Sequence, residues 1–128
     1  MSEMPTILHI EDNFENRLLV RRILQFEGYD VVEAESAREA MELLPECHPA
    51  LILLDINMPE VDGYTLATRL KSIPEYKHIP MLAITANALR GDKERSFQAG
   101  CDGYIEKPID MDVLIEMVAY YIEHAVKK

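Results

Sequence analysis

Four apolar runs in this chain end on residues able to do chemistry. "TILHI" (6–10) runs into Glu11-Asp12, and "ALILLD" (50–55) stops on Asp55. "IPMLAIT" (79–85) ends on Thr85, and "GYIEKP" (103–108) carries Lys107 in front of a proline. If the runs are parallel strands, all of these side chains gather at one edge of the molecule. Three carboxylates meeting at one point repel, and one would ordinarily hold a proton. Two things relieve that repulsion. A hard cation such as Mg²⁺ takes one or two carboxylates together with water and phosphate oxygens. The Lys107 ammonium is a point charge suited to a carboxylate or a phosphoryl oxygen. Thr85 adds a neutral donor, and Asn57 could offer its backbone carbonyl to the metal. No Ser or Cys nucleophile with a paired base is visible, but a carboxylate can itself attack phosphorus and become an aspartyl phosphate. Phosphoryl transfer asks mainly for positioning and charge neutralisation. The residues therefore point to Asp55 as a cation-assisted phosphoacceptor, with Pro59 and Gly63 shaping the loop that follows it.

The elements that must position these groups alternate strictly. Strands are expected at 6–10, 29–34, 50–55 and 79–85, with a short one within 103–108 stopped by Pro108, and helices at 14–28, 37–46, 63–72, 87–100 and 110–126. Asp12-Asn13 supplies the first helix cap, Gly28 its stop, and Ser36 with Glu39 a capping box. The first helix shows Leu18, Leu19, Ile23, Leu24 and Phe26 as its apolar stripe. The continuous apolar runs at 50–55 and 79–85 fit strands covered on both faces. Alternating strands and helices imply right-handed crossovers and a five-stranded parallel sheet with helices on both sides, an α/β three-layer sandwich. Such sheets bind ligands at the carboxyl ends of their strands.

Composition narrows the function classes. The 128 residues fit one domain spanning 1–128, with 48% hydrophobic and 28% charged residues. The net charge of −10 repels phosphate backbones, so nucleic acid is not an expected partner. The two cysteines, Cys47 and Cys101, lack metal or disulfide spacing and read as core or boundary residues. No stretch reaches the length of a membrane span, and the N-terminus lacks an export signal, so the expected compartment is the cytoplasm with no membrane insertion.

The segments "EDN" (11–13), "LLDINMPEVDG" (53–63), "ITAN" (84–87) and "YIEKPI" (104–109), in this order and spacing, resemble the response-regulator receiver domains of two-component phosphorelay signalling. The resemblance runs from Ile7 to about Val126. It implies a flavodoxin-like sheet of order 2-1-3-4-5. It implies that Asp55 accepts a phosphoryl group from a histidine kinase or a histidine phosphotransfer protein. Asp12, Asp55 and the Asn57 carbonyl would be direct Mg²⁺ ligands, with Glu11 acting through water. Thr85 and Lys107 would contact the phosphoryl group, and the Tyr104 rotamer would follow Thr85. Asn57 and Asn87 occupy the positions that influence phosphoryl lifetime in the family.

Phosphorylation adds charge and acceptor oxygens at Asp55. The expected response is an inward move of Thr85, with Tyr104 filling its space and the face of the fourth helix, fifth strand and fifth helix remodelled for a downstream protein or a weak dimer. After Lys107 there is room for one helix, so no output domain is expected. The chain reads as a stand-alone receiver, not an enzyme beyond its own phosphorylation and dephosphorylation. The alternative is a receiver taken from a hybrid sensor kinase and acting as a phosphate carrier. His9, His48, His78 and His124 lack ligand spacing and are expected at the surface or boundary. Arg17, Arg21 and Arg22 form either a solvated face or a phosphodonor docking face beside a partly apolar patch at Leu18-Leu19. A hydrolase of the haloacid-dehalogenase type would need its nucleophilic Asp on the first strand with a second Asp two residues on; Asp12 is followed by Asn13-Phe14. A flavin or nucleotide carrier would need a Gly- or hydroxyl-rich loop where "EDNFEN" stands. A pseudo-receiver would be expected to lack Asp12, Asp55 or Lys107.

Overall fold

The computed structural model describes residues 4–58, 63–86 and 91–126. Strands β1 (Thr6–Ile10), β2 (Asp30–Ala34), β3 (Leu51–Asp55), β4 (Met81–Thr85) and β5 (Gly103–Glu106) alternate with helices. These are α1 (Phe14–Phe26), α2 (Ala37–Cys47), α3 (Gly63–Lys71), α4 (Asp92–Gln98) and α5 (Met111–Val126). The sheet is wholly parallel and ordered β2-β1-β3-β4-β5, the flavodoxin-like arrangement. Its order reverses between β1 and β3, so their carboxyl ends lie side by side at the crevice where open α/β sheets take ligands.

Every residue of β3 and β4 is buried, as their unbroken apolar runs require. Leu8, Ile10, Ile52 and Leu54 pack on one face against Ala40 and Leu44 of α2 and Leu66 and Leu70 of α3. Ile7, Leu51, Leu53, Ile84 and Ile105 pack on the other against Val20 and Leu24 of α1 and Leu114 and Val118 of α5. Ser36 caps α2 as expected, its Oγ accepting from Glu39 N at 3.1 Å, while Glu39 Oε1 reaches back past the cap residue to accept from Glu35 N at 2.7 Å.

Three expectations change. The first helix buries Arg17, Val20 and Leu24, while Leu19 is 46% and Phe26 89% exposed. The spacing 17-20-24 is also a helical stripe, and the long Arg17 stem can line it while its guanidinium finds a carbonyl. Arg17 is accordingly part of the interior and not of a solvated face. His9 is fully buried, because its place on β1 between Leu8 and Ile10 points it beneath α1 and α5, whereas His48, His78 and His124 are exposed as expected. The fourth helix begins at Asp92, and residues 87–90 of the longer expected helix lie outside the described residues.

Candidate phosphoacceptor site

Local chemistry frees the site's carboxylates for one another. Asn13, not Asp12, caps α1, its side chain accepting from Asn16 N at 2.9 Å. Asp12 thus remains available at the rim. Glu11 extends the β1–β2 pairing through its amide, which donates to Ala34 O at 2.9 Å. Its carbonyl accepts from Arg17 Nη1 at 2.9 Å. Arg17 therefore braces the end of β1 from below.

Asp55 closes β3 with only 2% exposure. Its Oδ1 accepts from Asn57 N at 3.0 Å and from Lys107 Nζ at 3.2 Å. Lys107 is delivered from β5, where its amide donates to Thr85 O at 2.8 Å. Glu11, Asp12 and Asp55 each offer a carboxylate oxygen, and these oxygens lie within 4.8 Å of one another. Four of the residues singled out in the sequence thus meet at one rim.

Three carboxylates share this rim with the Lys107 ammonium. Burial raises Glu11 from its usual 4.5 to about 7, and the adjoining Asp55 carboxylate adds to the effect. Lys107 and the Asn13 amide, which donates to Glu11 Oε2 at 3.2 Å, act in the opposite direction. Beneath the rim, burial lowers His9 from 6.5 to about 4, against the pull of Asp55. Glu11 Oε1 is buried with no hydrogen-bond partner among the described residues. An orphaned buried acceptor, three converging carboxylates and an all-oxygen donor set fit a hard divalent cation of the Mg²⁺ type.

The glycine in "PEVDG" has a steric reason. Gly63 N approaches Ile56 O at 3.4 Å, and a Cβ on Gly63 would sit 2.7 Å from Ile56 Cα and 3.0 Å from Asp55 O. The start of α3 is therefore pressed against the backbone that carries Asp55. Pro59 lies outside the described residues. The Asn57 side chain spans towards β4, accepting from Ala86 N at 3.4 Å; Asn87 lies outside the described residues.

Thr85 is fully buried at the end of β4, one residue beyond Ile84, the partner of Asp55 across the sheet. Its hydroxyl donates to Asp92 Oδ2 at 2.7 Å. Tyr104 is half-buried on β5, edge-on to Phe97 with ring centres 6.2 Å apart, and the Lys93 ammonium is 5.6 Å from its ring centre. Sequence reasoning did not single out Asp92 or the brace role of Arg17. Arg17 could have been found by trying each helical frame of α1; Asp92 falls inside the helix expected at 87–100, where nothing in the sequence marks it out.

Comparison with known proteins agrees with this geometry. The family model of the response regulator receiver domain matches residues 7–119. The polar-differentiation response regulator DivK of Brucella ovis is 42% identical over 120 residues, covering 94% of this chain and 98% of that protein. Among solved structures, the receiver domain of sensor histidine kinase PA1611 from Pseudomonas aeruginosa PAO1 is similar with a TM-score of 0.86 at 30% identity, covering 94% of this chain and 98% of that one. That structure has a magnesium ion coordinated in its active-site cleft. The chemotaxis protein CheY4 of Vibrio cholerae gives a TM-score of 0.87 at 26% identity, covering 92% and 98%.

Proposed function

This chain belongs to the response regulator receiver domain family, and from that premise we propose that Asp55 is its phosphoacceptor, charged by a histidine kinase or a histidine phosphotransfer protein. The observation carrying the reading is the buried Asp55 carboxylate with Lys107 Nζ at 3.2 Å and Glu11 and Asp12 closing the same rim. In the transfer, an Asp55 oxygen attacks phosphorus, the P–N bond to the donor imidazole breaks, and its electron pair stays on that nitrogen. Lys107 offsets the charge gathering on the phosphoryl oxygens, and the β3 backbone holds the nucleophile in line. Glu11, Asp12, Asp55 and Asn57 would hold Mg²⁺, which neutralises phosphoryl charge when bound.

Once Asp55 is phosphorylated, Thr85 turns its hydroxyl to the new oxygens and Tyr104 follows into the space released. The surface of α4, β5 and α5 then changes its fit to a downstream protein or a second copy. Phe97, Tyr104, Val113 and Met117 line a cavity of about 450 Å³ on that surface, which supports the assignment. The chain is a signalling switch in the cytoplasm and not an enzyme beyond forming and losing its own phosphate. No helix among the described residues is long and apolar enough to cross a membrane, and the net charge of −10 disfavours nucleic acid. A carrier role within a hybrid sensor kinase has support from the similarity to a sensor-kinase receiver.

The test is intact mass after incubation with Mg²⁺ and acetyl phosphate. Wild type should gain one phosphoryl group and Asp55→Asn none; equal uptake by both would remove Asp55 from this role.

A further inference from the structure

Two oxygens compete for one buried hydroxyl proton. Thr85 is fully buried, so its hydroxyl cannot fall back on bulk water, and it donates to Asp92 Oδ2 at 2.7 Å. The acceptor is an acid on the first residue of α4, itself 9% exposed. A short hydrogen bond from a hydroxyl to a carboxylate is among the stronger ones a protein makes. The rest of Asp92 is tied down independently. Its backbone carbonyl accepts from Ser96 Oγ at 2.7 Å and from Tyr64 of α3 at 3.4 Å. The side chain of Asp92 thus links β4 to α4, while its backbone belongs to α3 and α4.

We infer that Asp92 is a resting-state latch, a positioning residue that holds Thr85 away from Asp55 and sets how readily the switch is thrown. The inference rests on the phosphoacceptor reading of Asp55. A phosphoryl group on Asp55 must win the Thr85 hydroxyl from Asp92. When it does, the side-chain hydrogen bond between β4 and the start of α4 is released, while the Asp92 carbonyl keeps its bond to Tyr64. A hydroxyl rotation at the end of a strand is thereby converted into freedom at the start of a helix. A two-state switch shifts only by the difference in contacts between its states, so weakening this contact moves the equilibrium towards the phosphorylated form.

The experiment titrates the full chain with beryllofluoride and Mg²⁺, reading amide NMR shifts of residues 81–86 and 103–106. Asp92→Ala should reach half-saturation at about tenfold lower beryllofluoride, the worth of one hydrogen bond to a charged group, and Asp92→Asn should shift part of the way. Glu94→Gln removes another acid from the first turn of α4 and should titrate like wild type. The gain from Asp92→Ala should vanish in a Thr85→Ala background, which a general loosening of α4 would not produce. Wild-type half-saturation in both Asp92 variants, or the same gain without the Thr85 hydroxyl, overturns the latch. If wild type itself gains no mass from acetyl phosphate and shows no beryllofluoride shift, the phosphoacceptor reading falls and the latch with it. Normal mass gain at Asp55 with unaltered Asp92 titrations sinks the latch alone.

Discussion

Lys107 Nζ lies 3.2 Å from Asp55 Oδ1, a partly exposed cation set on a carboxylate that is almost fully buried. Two strands separated by β4 are thereby joined across the rim, and the ammonium is a direct counter-charge for the Asp55 carboxylate. Lys107→Met keeps the apolar stem and deletes the charge. Because Lys107 retains some solvent contact, the loss should be about 1–2 kcal/mol, below that of a fully buried pair. In an Asp55→Asn background the same substitution should cost less, since the stranded charge is gone. Urea midpoints of the four proteins in EDTA measure this coupling; equal costs in both backgrounds would show that the pair does not interact.

Glu11 and His9 should give the metal-free protein two opposing pH slopes. Between 4.5 and about 7 folded Glu11 keeps a proton that the unfolded chain has released, so its contribution weakens as pH rises. Between about 4 and 6.5 the unfolded chain holds the His9 proton that the fold excludes, so that contribution strengthens with pH. Each is worth on the order of 3 kcal/mol. Glu11→Gln should therefore leave a protein whose stability climbs from pH 4 to 6.5, and His9→Leu one whose stability declines from pH 4.5 to 7. Matching slopes in the two variants would contradict the assignment.

Mg²⁺ should stabilise the protein more at pH 8 than at pH 5.5. A cation competes with the proton on Glu11, whose affinity for protons burial has raised to about 7. At about 100 times Kd the gain is roughly 3 kcal/mol, visible as a rise in Tm that EDTA reverses. Asp12→Asn should lose most of that rise. A Tm indifferent to Mg²⁺ at pH 8 would argue against a cation at this rim.

Gly63→Ala should cost about 1–3 kcal/mol by overpacking, because the added methyl meets Ile56 Cα at 2.7 Å and backbone cannot step aside as a side-chain tip could. The strain falls on the segment carrying Asp55, so phosphorylation by acetyl phosphate should slow as well as stability drop. A variant with wild-type stability and rate would mean that the loop yields freely.

Much of this protein could be read along the chain. Strands announce themselves as short apolar runs, helices as longer periodic ones, and their alternation leaves a parallel sheet as the natural solution. Once the sheet is parallel, Glu11-Asp12, Asp55, Thr85 and Lys107 share an edge because each ends or directly follows a strand. The family motifs then supplied the strand order, which periodicity alone does not contain. What the chain order did not show was which side chain on a helix turns inward. Leu24 of the expected stripe is buried, but Arg17 and not Leu19 joins it, because the assembled end of β1 offers the guanidinium a carbonyl at Glu11. His9 reads like any polar strand residue until α1 and α5 cover it. The Thr85–Asp92 contact was invisible for the same reason. A hydrogen bond is decided by ångströms and angles between groups on different elements, and those are set only when α4 packs against β4 and β5.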